Sequence, residues 1–287
     1  MDSRRLQGMA NRHCRPSRKA LAFAFLGLLA VTGCPRTRPG PQTASPADPN
    51  VLLVYVACAL VPTLQAAAAE FQQANPGKSL QIQADEPGEL VSKIESGAQP
   101  DVFICLGRSE AGLLEREGYL DTGWHREVGE HRLVLATPAA KPGPESVQEL
   151  ASSGVASVIM AAPGITSLGT DGKRALERAG VWAKIQAKLV LRATPLQAIQ
   201  GLAKGEADVG VTYTPCPLLE LPGKIAPDSV AFGTSLAPYS ERPARVQISM
   251  HKRTQKTELA RQLIVALSRS KEWTKEPPAA PEGEGEQ

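Results

Sequence analysis

The chain alternates between short apolar runs and longer segments whose apolar residues recur every three or four positions. Near-continuous apolar runs are typical of parallel strands covered on both faces. They predict strands at residues 51–57, 80–84, 101–105, 131–136, 156–161, 189–192, 208–213 and 245–250. The wider spacing predicts helices at residues 62–74, 88–96, 108–117, 170–179, 195–204 and 257–268. The pattern therefore predicts an α/β protein of βαβ units and open sheets, whose ligands bind beyond the carboxyl ends of the strands.

Both ends of the chain lack this pattern. Residues 35–50 are rich in Pro, Ser and Thr, which predicts a flexible linker. Residues 275–287 are polar and proline-rich, so we expect a disordered tail.

The first 34 residues have the pattern of a secretory signal. A basic segment precedes an apolar stretch at residues 20–31, which is too short to span a bilayer of about 30 Å as a helix. Residues 31–34, Val-Thr-Gly-Cys, resemble a bacterial lipobox, in which the cysteine is acylated and becomes the mature N-terminus. We therefore expect export and a lipid anchor at Cys34, with the folded body in water beside a membrane. A plain signal peptide with an incidental cysteine is the alternative.

The positive charge of the chain belongs to this signal. The formal net charge is +3, and removing residues 1–34, with six basic side chains and Asp2, leaves −2. The mature body is therefore not predicted to bind nucleic acid.

Several motifs resemble the molybdate-binding family of periplasmic solute receptors. They are VYVACALVPTL at residues 54–64, GELVSKIESGAQPDVFIC at 88–105, GKRALERAGVW at 172–182 and GEADVGVTY at 205–213. The resemblance implies two lobes with mixed five-stranded sheets flanked by helices, joined by crossing strands that act as a hinge. It places lobe one at residues 51–132 plus 243–270 and lobe two at 133–242. It also implies a monomeric protein without catalytic activity, which delivers a small inorganic ligand to the membrane subunits of an ABC importer.

The residues that would hold a tetrahedral oxyanion in this family have changed in lobe one. Ala59 stands where the family has a serine, and Pro87 replaces a second serine, which removes a hydroxyl and an N–H. Asp85, Glu86 and Glu89 bring carboxylates towards the cleft. Oxyanion binding is therefore disfavoured by repulsion between like charges.

In lobe two the resemblance places backbone contacts to the ligand near Ser167, Leu168 and Leu196. Tyr213 matches the family's tyrosine. Its role is open, because an aromatic ring with a polar tip suits either a ligand contact or packing under a loop.

Three cysteines stand where strands end. Cys58 and Cys105 end neighbouring predicted strands, and Cys216 follows Tyr213 on the other lobe. Lobe closure could gather three thiolates, a donor set that suits Cu(I), Zn(II) or trivalent arsenic, with His125 and His131 as auxiliary ligands. A Cys58–Cys105 disulfide and inert packing are the alternatives.

These observations favour a tethered receptor for a soft metal or metalloid, with no covalent cofactor besides the lipid. Molybdate or tungstate binding, as in the family, is the first alternative. A ligand sensor is another, and so is a thiol enzyme in which Cys58 has a lowered pKa at a helix N-terminus.

Overall fold

The computed structural model describes residues 48–221 and 223–274, which contain nine strands and six α-helices. The strands are β1 (Val51–Ala57), β2 (Ser79–Asp85), β3 (Val102–Leu106), β4 (Leu120–Pro138), β5 (Val158–Ala161), β6 (Leu189–Arg192), β7 (Val209–Thr214), β8 (Val230–Ser235) and β9 (Ala244–His251). The helices are α1 (Val61–Ala74), α2 (Pro87–Glu95), α3 (Arg108–Arg116), α4 (Ser167–Arg178), α5 (Pro195–Ala203) and α6 (Thr257–Arg269).

The strands run in the order β2-β1-β3-β9-β4-β7-β5-β6, and β8 pairs with the free side of β4. β1 is parallel to β2 and β3, and β5 is parallel to β6 and β7. The long strand β4 belongs to both halves, because it pairs with β9 as far as His131 and with β7 from Arg132 onward. Counting β4 twice, each half has five strands, which is the predicted two-lobed α/β architecture.

Each lobe is built around its own apolar core. Tyr55, Phe71 and Phe103 are among the largest buried side chains of lobe one, and β1 is buried along almost its whole length. Leu135, Met160 and Leu176 lie in the core of lobe two. A further cluster in lobe two lies beneath α5 and includes Cys216.

Prolines and threonines fix where the helices near the cleft begin. Pro87 and Pro195 occupy the first positions of α2 and α5, where a missing N–H is not needed by the helix. The Thr166 and Thr194 side chains cap α4 and α5 by accepting hydrogen bonds from Gly169 N and Gln197 N.

The predicted helices and strands all occur, but two strand segments were missed. β4 begins at Leu120 rather than at residue 131, and β8 was not predicted. The first half of β4 contains Gly123 and Gly129 among charged residues, a composition typical of a turn, yet pairing with β9 holds it extended. β8 is mostly exposed and interrupted by Gly233, so it has no apolar run.

Some predictions fall outside the described residues. They include the signal peptide, the anchor at Cys34, most of the linker and the tail. The division into lobes at residues 132–133 and 242–243 stays a prediction. Among the described residues, no helix combines the length and apolarity needed to cross a membrane.

Candidate functional site

A cavity of about 60 Å³ lies where the strand-to-helix turns of the two lobes face each other. Lobe one contributes residues from the turns after β1, β2 and β3, and lobe two contributes residues from the starts of α4 and α5 and the end of β7. The predicted ligand-binding residues that line it are Cys58, Ala59, Glu86, Pro87, Ser167, Leu168, Tyr213 and Cys216. Leu196 and Cys105 are absent from the lining. Leu196 packs instead against the core cluster beneath α5.

Cys105 does not line the cavity that Cys58 and Cys216 share. The register pairs Val56 with Ile104, and continuing it places Cys105 beside Ala57 rather than beside Cys58. Cys105 is fully buried, and its Sγ donates a weak hydrogen bond to Gly107 O at 3.6 Å. Cys58 and Cys216 therefore share a cavity that Cys105 does not reach.

The three cysteines are free thiols in the structure, so the disulfide alternative is not realised. Cys58 Sγ donates to Glu86 Oε1 at 3.8 Å, and Cys216 Sγ lies 3.7 Å from Thr212 Oγ1. Within residues 48–221 and 223–274, no group of three or more His, Cys, Asp and Glu side chains is arranged to hold a metal ion. The predicted three-thiolate donor set is thus not assembled in this conformation.

The two histidines predicted as auxiliary ligands lie elsewhere. His131 Nδ1 is 2.8 Å from Pro215 O, and burial lowers the pKa of this histidine. His125 Nδ1 is 2.9 Å from Ser249 Oγ and 3.2 Å from Glu115 Oε1. Neither ring lines the cavity.

The surroundings of Cys58 disfavour its thiolate form. Burial, followed by the neighbouring Glu86 carboxylate, raises the pKa of the Cys58 thiol to about 11. A reactive cysteine needs a lowered pKa, which cationic neighbours or a helix N-terminus provide. The shift runs in the direction opposite to the one that the thiol-enzyme hypothesis requires.

Two carboxylates of lobe one reach the N-termini of helices in lobe two. Glu110, in the first turn of α3, accepts a hydrogen bond from Ser167 N at 3.0 Å and another from Ser167 Oγ, at the start of α4. Glu86 accepts a hydrogen bond from the side chain of Thr194, which caps α5. Helix N-termini favour anions, and here two of the protein's own carboxylates bind at such positions.

Burial raises the pKa values of both Glu86 and Glu110. Glu110 is only 5% exposed, and among the described residues no lysine, arginine or histidine lines the cavity. Of the three carboxylates predicted at the cleft, Glu86 alone lines it. Asp85 instead pairs with Lys93 at 2.7 Å, and Glu89 is exposed.

Gly107 allows the lobes to approach at this point. Its φ is +91°, and a Cβ on it would lie 2.3 Å from Ser167 Cβ. Any other residue would therefore push the turn after β3 away from α4. The Ser109 N–H also donates to Ser167 Oγ at 3.0 Å, which adds a hydrogen bond between the lobes.

Tyr213 is 5% exposed and lies at the edge of the cavity. Its hydroxyl donates to Asp171 Oδ2 at 2.8 Å, a partner within lobe two. Burial and the Asp171 carboxylate raise the pKa of the Tyr213 hydroxyl well above its usual range. The ring contributes to the cavity wall, while its hydroxyl already has a partner.

Comparison with known proteins identifies the fold and the family. A family model described as bacterial extracellular solute-binding protein matches residues 52–272. The periplasmic molybdate-binding protein of Azotobacter vinelandii is 26% identical, with a TM-score of 0.61 over 77% of this chain and 94% of its own. A substrate-binding domain assigned to a molybdenum ABC transporter of Clostridium difficile is 19% identical, with a TM-score of 0.61 over 77% of this chain and 93% of its own. Iron-bound HitA of Pseudomonas aeruginosa is 17% identical, with a TM-score of 0.60 over 78% of this chain and 82% of its own.

Replacing Glu110 with Ala should open the cleft. The change removes the acceptor of two interlobe hydrogen bonds from Ser167, a loss of about 1–3 kcal/mol from the closed arrangement. Small-angle scattering should then show a larger radius of gyration than for the parent chain. Glu117→Ala, at an exposed position just beyond α3, is the matched control and should leave the scattering unchanged. Identical curves for both variants would show that this contact does not hold the lobes.

Alkylation of Cys58 should be slow and should depend on Glu86. With a pKa of about 11, roughly one Cys58 thiol in a thousand is ionised at pH 8, and its reaction with iodoacetamide should accelerate about tenfold per pH unit up to that pKa. Glu86→Gln removes the carboxylate charge that helps raise the pKa, so alkylation at pH 8 should become faster. The rate can be measured by mass spectrometry of the Cys58 peptide. Glu89→Gln is the control, and an equal acceleration in that variant would contradict this account.

Proposed function

Because the chain belongs to the bacterial extracellular solute-binding protein family, we propose that it captures a small solute outside the cytoplasm and delivers it to an ABC importer. One observation carries the proposal: strand-to-helix turns of both lobes meet around the same small cavity. A ligand there touches both lobes at once, so its binding energy favours the closed form. A membrane subunit can then distinguish loaded from empty receptor by shape.

We propose that the solute is a soft metal or metalloid ion rather than an oxyanion. Glu86 and Glu110 line the cavity, and they already bind at the N-termini of α5 and α4. An anion placed 4 Å from an ionised carboxylate would be repelled by about 4 kcal/mol at the effective dielectric constant of such a site. A cation gains from the same charges.

The donors available to such an ion are the thiols of Cys58 and Cys216, with the Glu86 carboxylate beside Cys58. Thiolates select Cu(I), Zn(II) and other soft ions over hard cations. Each thiol must lose its proton to bind a metal ion. Because the pKa of the Cys58 thiol is about 11, only an ion with high affinity for thiolate can displace that proton at neutral pH. Cys105 has no place in this set, because it lies outside the cavity.

The family likeness supports molybdate or tungstate as the alternative ligand. The Azotobacter protein is named as molybdate-binding, and Ser167 still stands at the start of α4. The Pseudomonas protein is named as iron-bound, so the fold accommodates both oxyanions and metals. Fold alone therefore does not select the ligand, and the residues that line the cavity must decide it.

We propose that Cys34 is acylated and tethers the protein to the outer face of a membrane. The support is in the sequence: the basic segment, the short apolar stretch and Val-Thr-Gly-Cys at residues 31–34. The linker that follows would let the folded body reach a membrane partner. A ligand sensor for a membrane regulator would use the same anchor. The membrane protein that the chain binds, an importer subunit or a regulator, distinguishes the two roles.

Titration calorimetry of the reduced chain should distinguish these ligands. We expect Cu(I), Zn(II) or arsenite to bind at one ion per chain, and molybdate and tungstate not to bind. Cys58→Ser and Cys216→Ser should each weaken binding by more than about 100-fold, because even indirect partners of metal ligands contribute about 10- to 100-fold. Cys105→Ser is the matched control and should bind like the parent chain. Tight molybdate binding that is indifferent to all three changes would refute the metal proposal and leave the receptor function intact.

Metabolic labelling with a fatty-acid probe should test the anchor. We expect a bacterial host to attach lipid to the expressed chain and to retain it in the membrane fraction. Cys34→Ala should abolish both the label and the membrane retention. Labelling that survives this substitution would show that the lipobox interpretation is wrong.

A further inference from the structure

We propose that the chain carries a second ligand site, a groove between α3 and α4 that takes a small organic dianion bearing a hydrogen-bond donor. The groove has a volume of about 620 Å³, within the usual range for small-molecule sites. It is separate from the small cavity, because the close approach of Gly107 to Ser167 lies between them and Tyr213 borders both.

The charges around the groove favour an anion. Its lining includes the arginines Arg108, Arg116, Arg174, Arg178, Arg242 and Arg245. The carboxylates in the lining are Glu115, Glu127, Asp171 and Glu241. Six guanidinium groups against four carboxylates leave a local excess of two positive charges. Guanidinium groups bind carboxylates and phosphates through two parallel hydrogen bonds.

Most of these arginines already have acidic partners. Arg108 pairs with Glu115 at 3.2 Å and with Glu127 at 3.0 Å, and Arg178 pairs with Glu241. Two further arginines make longer contacts with carboxylates. Arg242 lies 3.8 Å from Glu127, and Arg245 lies 3.5 Å from Glu130.

Arg116 and Arg174 differ from the others. Across residues 48–221 and 223–274, neither has a carboxylate within 4.0 Å of its guanidinium group. Arg116 is on α3 of lobe one, and Arg174 is on α4 of lobe two. A guest with two acidic groups could neutralise one arginine on each lobe.

Gln247 supplies an independent observation. It lines the groove, is 1% exposed, and donates through Nε2 to Arg245 O at 2.9 Å. Its Oε1 is buried and has no hydrogen-bond partner among the described residues. Buried polar atoms are nearly always satisfied, so this acceptor lacks a donor that the O–H or N–H of a guest in the neighbouring groove would supply. The guest is therefore predicted to combine acidic groups with a donor.

Matched small acids test both parts of the proposal on the purified full chain. L-Malate and glycerol 3-phosphate carry two negative charges and a hydroxyl, whereas succinate has the carboxylates of malate without the hydroxyl. Titration calorimetry should show that malate or glycerol 3-phosphate binds at one molecule per chain, and that malate binds about tenfold more tightly than succinate. One hydrogen bond to the open amide oxygen accounts for that difference.

Arg116→Ala and Arg174→Ala should each weaken this binding by about tenfold, the effect of losing one charge-assisted contact. Arg269→Ala is the matched control, since Arg269 is exposed at the end of α6 and does not line the groove. Cys58→Ser should leave malate and glycerol 3-phosphate binding unchanged, which separates this site from the proposed thiol site. The proposal is overturned if neither malate nor glycerol 3-phosphate binds, or if their binding is the same in both arginine variants as in the parent chain.

Discussion

The closed arrangement depends on two carboxylates that reach from lobe one to the helix N-termini of lobe two. Glu110 binds Ser167 at the start of α4, and Glu86 binds Thr194 at the cap of α5. A helix N-terminus presents unpaired N–H groups and a partial positive charge, so a carboxylate satisfies it as an external anion would. The protein thereby supplies its own acceptors at two helix N-termini that border the cavity.

The crossing strand β4 brings these groups together. It pairs with β9 in lobe one and with β7 and β8 in lobe two, so continuous backbone hydrogen bonding links the two sheets. Because β1 and β3 are parallel, their carboxyl ends lie side by side, and the turns that follow them face the N-terminus of α4. Gly107 removes the side chain that would keep α3 and α4 apart, and the contact there separates a small apolar cavity from a wide charged groove.

The spacing of apolar residues predicted most of this fold, because the apolar pattern of a buried strand or an amphipathic helix follows which of its faces are buried. It failed where partners rather than composition determine the structure, as in the glycine-containing first half of β4 and in the exposed strand β8. The position of Cys105 also depends on a partner strand: both strands are followed by or end in cysteine, but the register sets Cys105 beside Ala57 and outside the cavity. The sequence did not mark Glu110 as an interlobe contact, because acidic residues are common in the first turn of a helix, where they interact favourably with the helix dipole. Its partner lies 57 positions further along the chain, beyond the reach of any local pattern.

Tyr213 and Asp171 give the two compartments a physical connection. Tyr213 borders both the cavity and the groove, and its hydroxyl binds Asp171, a groove residue. Burial raises the pKa of Asp171, while the nearby Arg174 and Arg242 act in the opposite direction. Asp171 and Arg174 both line the groove, so the hydrogen bond that holds the Tyr213 ring in the cavity wall is anchored on a residue of the groove.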